Sequence, residues 1–181
     1  MASLANLATA MSAFVGTHFL LSHPLRHALV ARLGERPFLG LYSIVALLTL
    51  GWVIAAARAA PGGPLWWVAP PLGWQIAAIV MLFASVLLAG SLVGNPAIPD
   101  PTGKRAMPGE SRGVFAITRH PMMWSFTIWA MVHVLLWGSA ANLIITSGVA
   151  ILAFFGALAQ DAKKERLLGA AWRDWEAQTS F

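Results

Sequence analysis

The sequence predicts an all-α protein: an integral membrane bundle of about five transmembrane helices, followed by a C-terminal amphipathic helix at the membrane interface. Of the 181 residues, 58% are apolar and only 10% are charged, whereas a soluble domain carries about 25% charged residues. Seven acidic and twelve basic side chains are too few to cover a soluble surface. The length suits a single domain, residues 1–181, and the absence of cysteine excludes thiolate chemistry and cysteine-ligated metals.

Five windows are long and apolar enough to cross a bilayer, which takes about 20 residues of helix. They contain no Lys, Arg, Asp or Glu, and they run over residues 4–21, 38–57, 72–93, 121–137 and 141–158. Backbone polar groups in lipid must be paired internally, so each window is predicted to be a helix. The remaining residues, 159–181, form a tail.

The basic residues predict the orientation, because cytoplasmic loops of membrane proteins are enriched in Lys and Arg. Segments between successive windows hold 3, 1, 4 and 0 bases, and the tail holds 4. Five spans with the N-terminus outside and the C-terminus in the cytoplasm place eleven of the twelve bases inside. In a bacterium this membrane would be the inner membrane. A model with four or six spans breaks the alternation.

Two segments outside the spans have distinct predicted roles. The tail repeats apolar residues near helical spacing, including Trp172 and Trp175, which predicts an amphipathic helix on the inner surface of the membrane. The loop of residues 94–119 is long and rich in Pro and Gly, and is predicted to act as a flexible gate or binding loop.

Histidines are the candidate functional residues, since the spans contain no carboxylate. His18 and His133 lie within the first and fourth spans, where a polar group is costly without a partner. One interpretation is a neutral imidazole hydrogen-bonded to a neighbouring helix; the other is an axial ligand to haem iron in a helix bundle. A bare zinc or iron ion would need further ligands. His23 and His27 are predicted to be exposed to solvent.

Arg119 and His120 precede Pro121, which suits the first turn of the fourth span. The N-terminus of a helix favours an anion, so one interpretation is that these two residues bind a head group, a carboxylate or a haem propionate. The other interpretation is that these residues only cap the helix, with a basic side chain extending to the membrane interface.

Five short stretches follow one another along the chain: Gly16-Thr17-His18, Leu33-Gly34-Glu35-Arg36, Gly40-Leu41-Tyr42-Ser43, Arg119-His120-Pro121-Met122 and Trp129 to His133. In sequence and in order they resemble the NnrU family of membrane proteins. The resemblance implies a link to denitrification and nitric-oxide metabolism, without a settled activity. It also implies a relation to the plant 15-cis-zeta-carotene isomerase, a haem b enzyme that isomerises an apolar polyene.

Carried over from that relative, His18 and His133 match the haem ligand positions, with His120 as a third candidate and Arg119 beside it. Helix rise places His133 about 18 Å from the start of the fourth span, and His18 about 5 Å from the end of the first. Ligands of one iron should lie at similar depth, so His18 with His120 is the alternative pair.

The tail is also similar to that of isoprenylcysteine carboxyl methyltransferases. Mapped onto this chain, the S-adenosylmethionine site of those enzymes would consist of Arg119, His120, Pro121, Glu165 and Trp175. This alternative leaves His18 and His133 unexplained. A third hypothesis is a non-catalytic membrane adaptor or carrier, so the sequence leaves open whether the protein is an enzyme. The expected partners are membrane lipid and an apolar small molecule, with no nucleic acid.

Overall fold

The computed structural model describes residues 3–98 and 110–181, and these residues form an almost entirely helical bundle. The seven helices of this part are α1 Leu4–Ser22, α2 Arg26–Leu33, α3 Glu35–Ala59, α4 Pro71–Ser91, α5 Pro121–Leu136, α6 Ala140–Leu168 and α7 Ala170–Ala177. A 3-10 turn over Gly113–Ala116 precedes α5. Residues 99–109 of the predicted gate loop lie outside the described residues.

The long helices stand in a row in which α3 packs on α1, α1 on α6, α6 on α5, and α5 on α4. Short strands close one end, where β1 (Trp67–Val68) pairs antiparallel with β2 (Trp137–Gly138). At the other end α1 and α4 finish and α3 and α5 begin. We call this second end the basic end, because it carries Arg26, Arg32, Lys163 and Arg166.

Four helices, α1, α3, α4 and α6, are long and apolar enough to span a membrane. The predicted fourth span, α5, is apolar but has only 16 residues. At 1.5 Å per residue it rises about 24 Å, which is less than the hydrocarbon thickness of roughly 30 Å. The prediction of an all-α membrane bundle is confirmed, with α5 as a shorter helix between α4 and α6.

The outer helices of the row carry apolar side chains that the rest of the described chain leaves largely exposed. Leu47 and Leu48 on α3 are 68% and 69% exposed, and Ile79 on α4 is 71% exposed. An apolar surface of this extent suits contact with lipid rather than with water.

Close packing between α1 and α6 depends on one glycine. A Cβ atom added to Gly148 of α6 would lie 2.3 Å from Cγ of Met11 on α1. Small residues at such crossings let helix backbones approach closely within membranes. Met11, Leu7 and Ala10 of α1 therefore bury against α3 and α6.

The tail differs from its prediction in length and in what covers its apolar side. The last spanning helix does not end near residue 158 but continues to Leu168, and α7 follows after Gly169. Trp172 and Trp175 are 0% and 2% exposed, packed with Leu87 of α4 and Phe115 of the 3-10 turn. The amphipathic helix is therefore present, but its tryptophans bury against the protein instead of lying on lipid.

Candidate functional site

A large cavity occupies the basic end of the bundle, between α1, α3, α5 and α6. Its volume is about 570 Å³, which lies within the roughly 300–1,000 Å³ usual for ligand and cofactor sites. Aromatic and aliphatic side chains form most of the wall, among them Phe14, Phe19, Phe38, Phe126, Leu50 and Leu152. The polar residues include His18, Tyr42 and Gln160, with His23, Arg26 and Lys163 nearer the basic end.

His18 is fixed within this wall by its own helix. Its Nδ1 donates a hydrogen bond of 2.7 Å to the carbonyl oxygen of Phe14, and because a carbonyl only accepts, the proton lies on Nδ1. The Tyr42 ring is edge-on to the His18 ring, with 5.5 Å between the two ring centroids. Nε2 therefore carries the lone pair, which is the arrangement found in metal-ligating histidines whose other nitrogen bonds a carbonyl.

The sequence prediction that His23 is exposed to solvent was wrong, whereas His27 is exposed as predicted. His23 follows the last turn of α1, lines the large cavity and stacks on Phe19 at 6.2 Å. Burial lowers the pKa of His23 below its ordinary value of 6.5, and the positive charges of Lys163 and Arg166 lower it further.

This lowered pKa predicts a loss of stability in acid. Below pH 6.5 the unfolded chain takes up a proton at His23 more readily than the folded protein does. Stability is therefore highest above this pH and declines as the pH falls, until the folded form is protonated too. Melting temperatures in detergent between about pH 8 and about pH 5 should show this slope, and His23→Gln should reduce it. The exposed His27→Gln is the control; an equal reduction there would contradict the assignment.

Arg119 and His120 converge on one carboxylate, Asp161 of α6. The guanidinium Nε and Nη2 of Arg119 donate to Oδ2 at 2.9 and 2.8 Å, and Nε2 of His120 donates to Oδ1 at 2.8 Å. His120 is 2% exposed, and its Nδ1 is buried without a hydrogen-bond partner among the described residues. The carboxylate thus orients the imidazole and balances the charge of Arg119.

A smaller cavity of about 180 Å³ adjoins this cluster and is lined by Arg119 and His120. It shares Ala97, Met123 and Gln160 with the larger cavity. The structure therefore brings His18 and His120 to two neighbouring cavities at the basic end.

The chain's last residues close over the cluster. Phe181 lies 5.2 Å from the Arg119 guanidinium and 5.3 Å from the His120 ring, measured to the Phe181 ring centroid. Its carbonyl accepts a hydrogen bond of 3.1 Å from Nε1 of Trp124, and the backbone N–H of Arg119 donates to Ser180 at 2.8 Å. The tail therefore covers Arg119 and His120.

His133 lies outside both cavities. It is near the end of α5 opposite the basic end, stacked on Trp129 at 4.2 Å and edge-on to Trp137 at 5.5 Å. Its Nδ1 donates to the Trp129 carbonyl at 2.7 Å. The structure does not bring His18 and His133 into one site, because His18 lines the larger cavity in the half of α1 nearest the basic end, whereas His133 is in the last turn of α5 at the opposite end.

The residues of the predicted S-adenosylmethionine site are not all brought together either. Arg119, His120 and Pro121 are adjacent, but Glu165 is half-exposed and faces Arg173 at 3.6 Å. Trp175 is buried against Phe115 in the tail cluster. In α7 it is Glu176 that approaches Arg119, at 3.8 Å.

Sequence reasoning missed Asp161 and Lys163. Both follow the predicted end of the last span, so they were assigned to the tail. The available signal was spacing: if the last helix continues, residues 153, 156, 160 and 163 share one face, and residues 157 and 161 lie on the adjoining one. Within the described ranges, no group of three His, Asp or Glu residues could hold a bare metal ion.

The helices and the apolar outer surface together define an all-α integral membrane protein, which has a cavity of cofactor size at its basic end. The family described as NnrU protein matches residues 6–181, and the chain belongs to this family. Comparison with curated proteins and with solved structures gave no match.

Proposed function

We propose that this member of the NnrU family binds haem b in the larger cavity, with His18 as an axial ligand. One observation carries the proposal: His18 lines the cavity, and its Nδ1–H donates a hydrogen bond to the carbonyl oxygen of Phe14. The lone pair on Nε2 of His18 is therefore left for iron. We further infer that the basic end faces the cytoplasm of a bacterial inner membrane, as the distribution of bases favours.

The residues present fit this group in size and chemistry. Haem needs an apolar slot and one or two axial ligands, not a cluster of acidic ligands, and the cavity is walled mainly by Phe, Leu and Ala. When bound, haem b would supply one-electron chemistry. This is consistent with a role in nitric-oxide metabolism or in isomerisation of an apolar substrate.

His120 is the better candidate than His133 for a second ligand. It is in the adjoining cavity, its Nδ1 is buried without a partner in the described chain, and Asp161 fixes its orientation. Carboxylate-oriented imidazoles are common around metals because the carboxylate fixes the ring and raises its basicity. His133 keeps its ring between Trp129 and Trp137, at the opposite end of α5.

Absorption spectroscopy of the protein purified in detergent after expression with added haem precursor tests the proposal. We expect a Soret band and a pyridine haemochrome spectrum of haem b in the wild type and in the exposed-histidine control His27→Ala. His18→Ala should lose most of the haem. A wild type without a Soret band, or a His18→Ala variant with full haem content, would contradict the proposal.

The same spectra distinguish the second ligand. We expect His120→Ala to retain haem but shift the Soret and visible bands, because one axial position changes its ligand. His133→Ala should leave the spectrum unchanged. A shift in His133→Ala alone would instead favour the pair His18 and His133.

A further inference from the structure

Lys163 is a cation in the wall of an apolar cavity without a matching anion. It is partly buried, and no carboxylate of residues 3–98 and 110–181 lies within ion-pair distance of it. Glu35 attracts it from further away but is itself paired with Arg26, while Arg26 and Lys164 repel it. A partly buried ammonium group in such surroundings is stabilised by an anionic partner.

The position of Lys163 along the helices gives the cavity a polar end and an apolar end. His23, Arg26 and Lys163 lie toward the basic end of α1, α2 and α6, whereas Phe14, Leu50 and Val149 line it further along the same bundle. His18 is five residues before His23, about 7.5 Å deeper by helix rise. A molecule filling this space would place an apolar body near His18 and a charged edge near Lys163.

We propose that Lys163, with Arg26 beside it, binds a carboxylate group of the molecule that occupies the larger cavity. This inference rests on the proposed function: in haem b the carboxylates are the two propionates. It makes Lys163 a specificity-determining residue, which selects an amphipathic ligand with an anionic edge over a neutral apolar one. Arg26 contributes less, because Glu35 already neutralises it.

Titration of haem-free protein in detergent with haem b and with its dimethyl ester, followed by Soret absorbance, tests this assignment. The ester keeps the ring and the iron but lacks the negative charges. We expect the wild type to bind haem b about tenfold more tightly than the ester, as a charge-assisted contact would give. Lys163→Gln should lower the affinity for haem b most of the way to that for the ester, with Arg26 retaining a small part of the preference, and should leave the affinity for the ester unaffected.

Two further variants separate this charge from a general change in the protein. Lys163→Arg keeps a cation at the site and should retain the preference for haem b. Arg166→Gln removes an exposed charge three residues further along α6 and should retain it too.

The outcomes distinguish the two proposals. Equal affinity of the wild type for both ligands, or an equal loss for both in Lys163→Gln, would overturn the role of Lys163 while leaving haem binding intact. A preference that persists undiminished in Lys163→Gln would overturn it as well, and would assign the charged edge to another group. A wild type that gives no Soret change with either ligand would overturn the proposed function and this inference with it.

Discussion

Replacing Asp161 by alanine is expected to destabilise the protein by about 3–5 kcal/mol, the cost of leaving a buried ion pair with one partner. Arg119 and Asp161 are each only 14% exposed, so water replaces the lost carboxylate incompletely. The His120 ring would lose the one hydrogen bond it makes among the described residues. The melting temperature in detergent should fall by about 10 °C, using roughly 2–4 °C per kcal/mol for a chain of this size.

The exposed Asp174→Ala on α7 is the matched control, because it removes an equal charge from the same end of the molecule without a buried contact. Asp161→Asn should give an intermediate loss, since an amide oxygen still accepts one hydrogen bond. If the melting temperature of Asp161→Ala stayed within about 2 °C of the wild type, the ion pair between Arg119 and Asp161 would not contribute to stability as predicted.

Asp161 also shows where sequence reasoning reaches its limit. Hydropathy finds the part of a helix that lies in hydrocarbon, and the predicted spans match α1, α3, α4 and α5 to within about three residues at each end. It gives no information on a helix that continues into water. Residues 159–168 are mostly Ala, Lys, Glu, Gln and Leu, which favour helix, so α6 extends beyond the bilayer and carries Asp161 to Arg119.

The ligand pair illustrates a second limit. Family motifs single out His18, His120 and His133 one at a time, and helix rise gives the depth of each along its own helix. Which two of them come close depends on how the helices pack, and the cavity that α1, α5 and α6 line together at the basic end has no signature in a single sequence. The resemblance predicted His18 with His133, and helix depth gave His18 with His120 as the alternative pair.

The tail illustrates a third limit, because periodicity predicts an apolar face but not what covers it. The pattern of Trp172 and Trp175 is the same for a helix on lipid and for one docked on protein. The docking surface comes from Leu87 and Phe115, which are distant in sequence. The predicted helix is therefore present, but its apolar face packs on protein, where the sequence analysis had placed it on the membrane.

Trp172→Ala is expected to have an effect of similar size to Asp161→Ala, about 3–5 kcal/mol for removing a fully buried aromatic side chain. Trp172 is completely buried, and its Nε1 donates to Glu176, which faces Arg119. Its loss should release α7 together with the residues that cover Arg119 and His120. Limited trypsin digestion should then cleave at Arg173 much faster than in the wild type, as measured by mass spectrometry.

Trp66→Ala is the matched control, since this tryptophan is 55% exposed and its removal leaves no cavity. Protection of Arg173 in that variant should equal that of the wild type. If Trp172→Ala also kept full protection, α7 would not depend on the buried tryptophan, and a helix held by lipid would account for the tail better. Faster cleavage in Trp172→Ala alone would mean that contacts with the protein hold α7 in place. The same contacts would then keep Phe181 over His120.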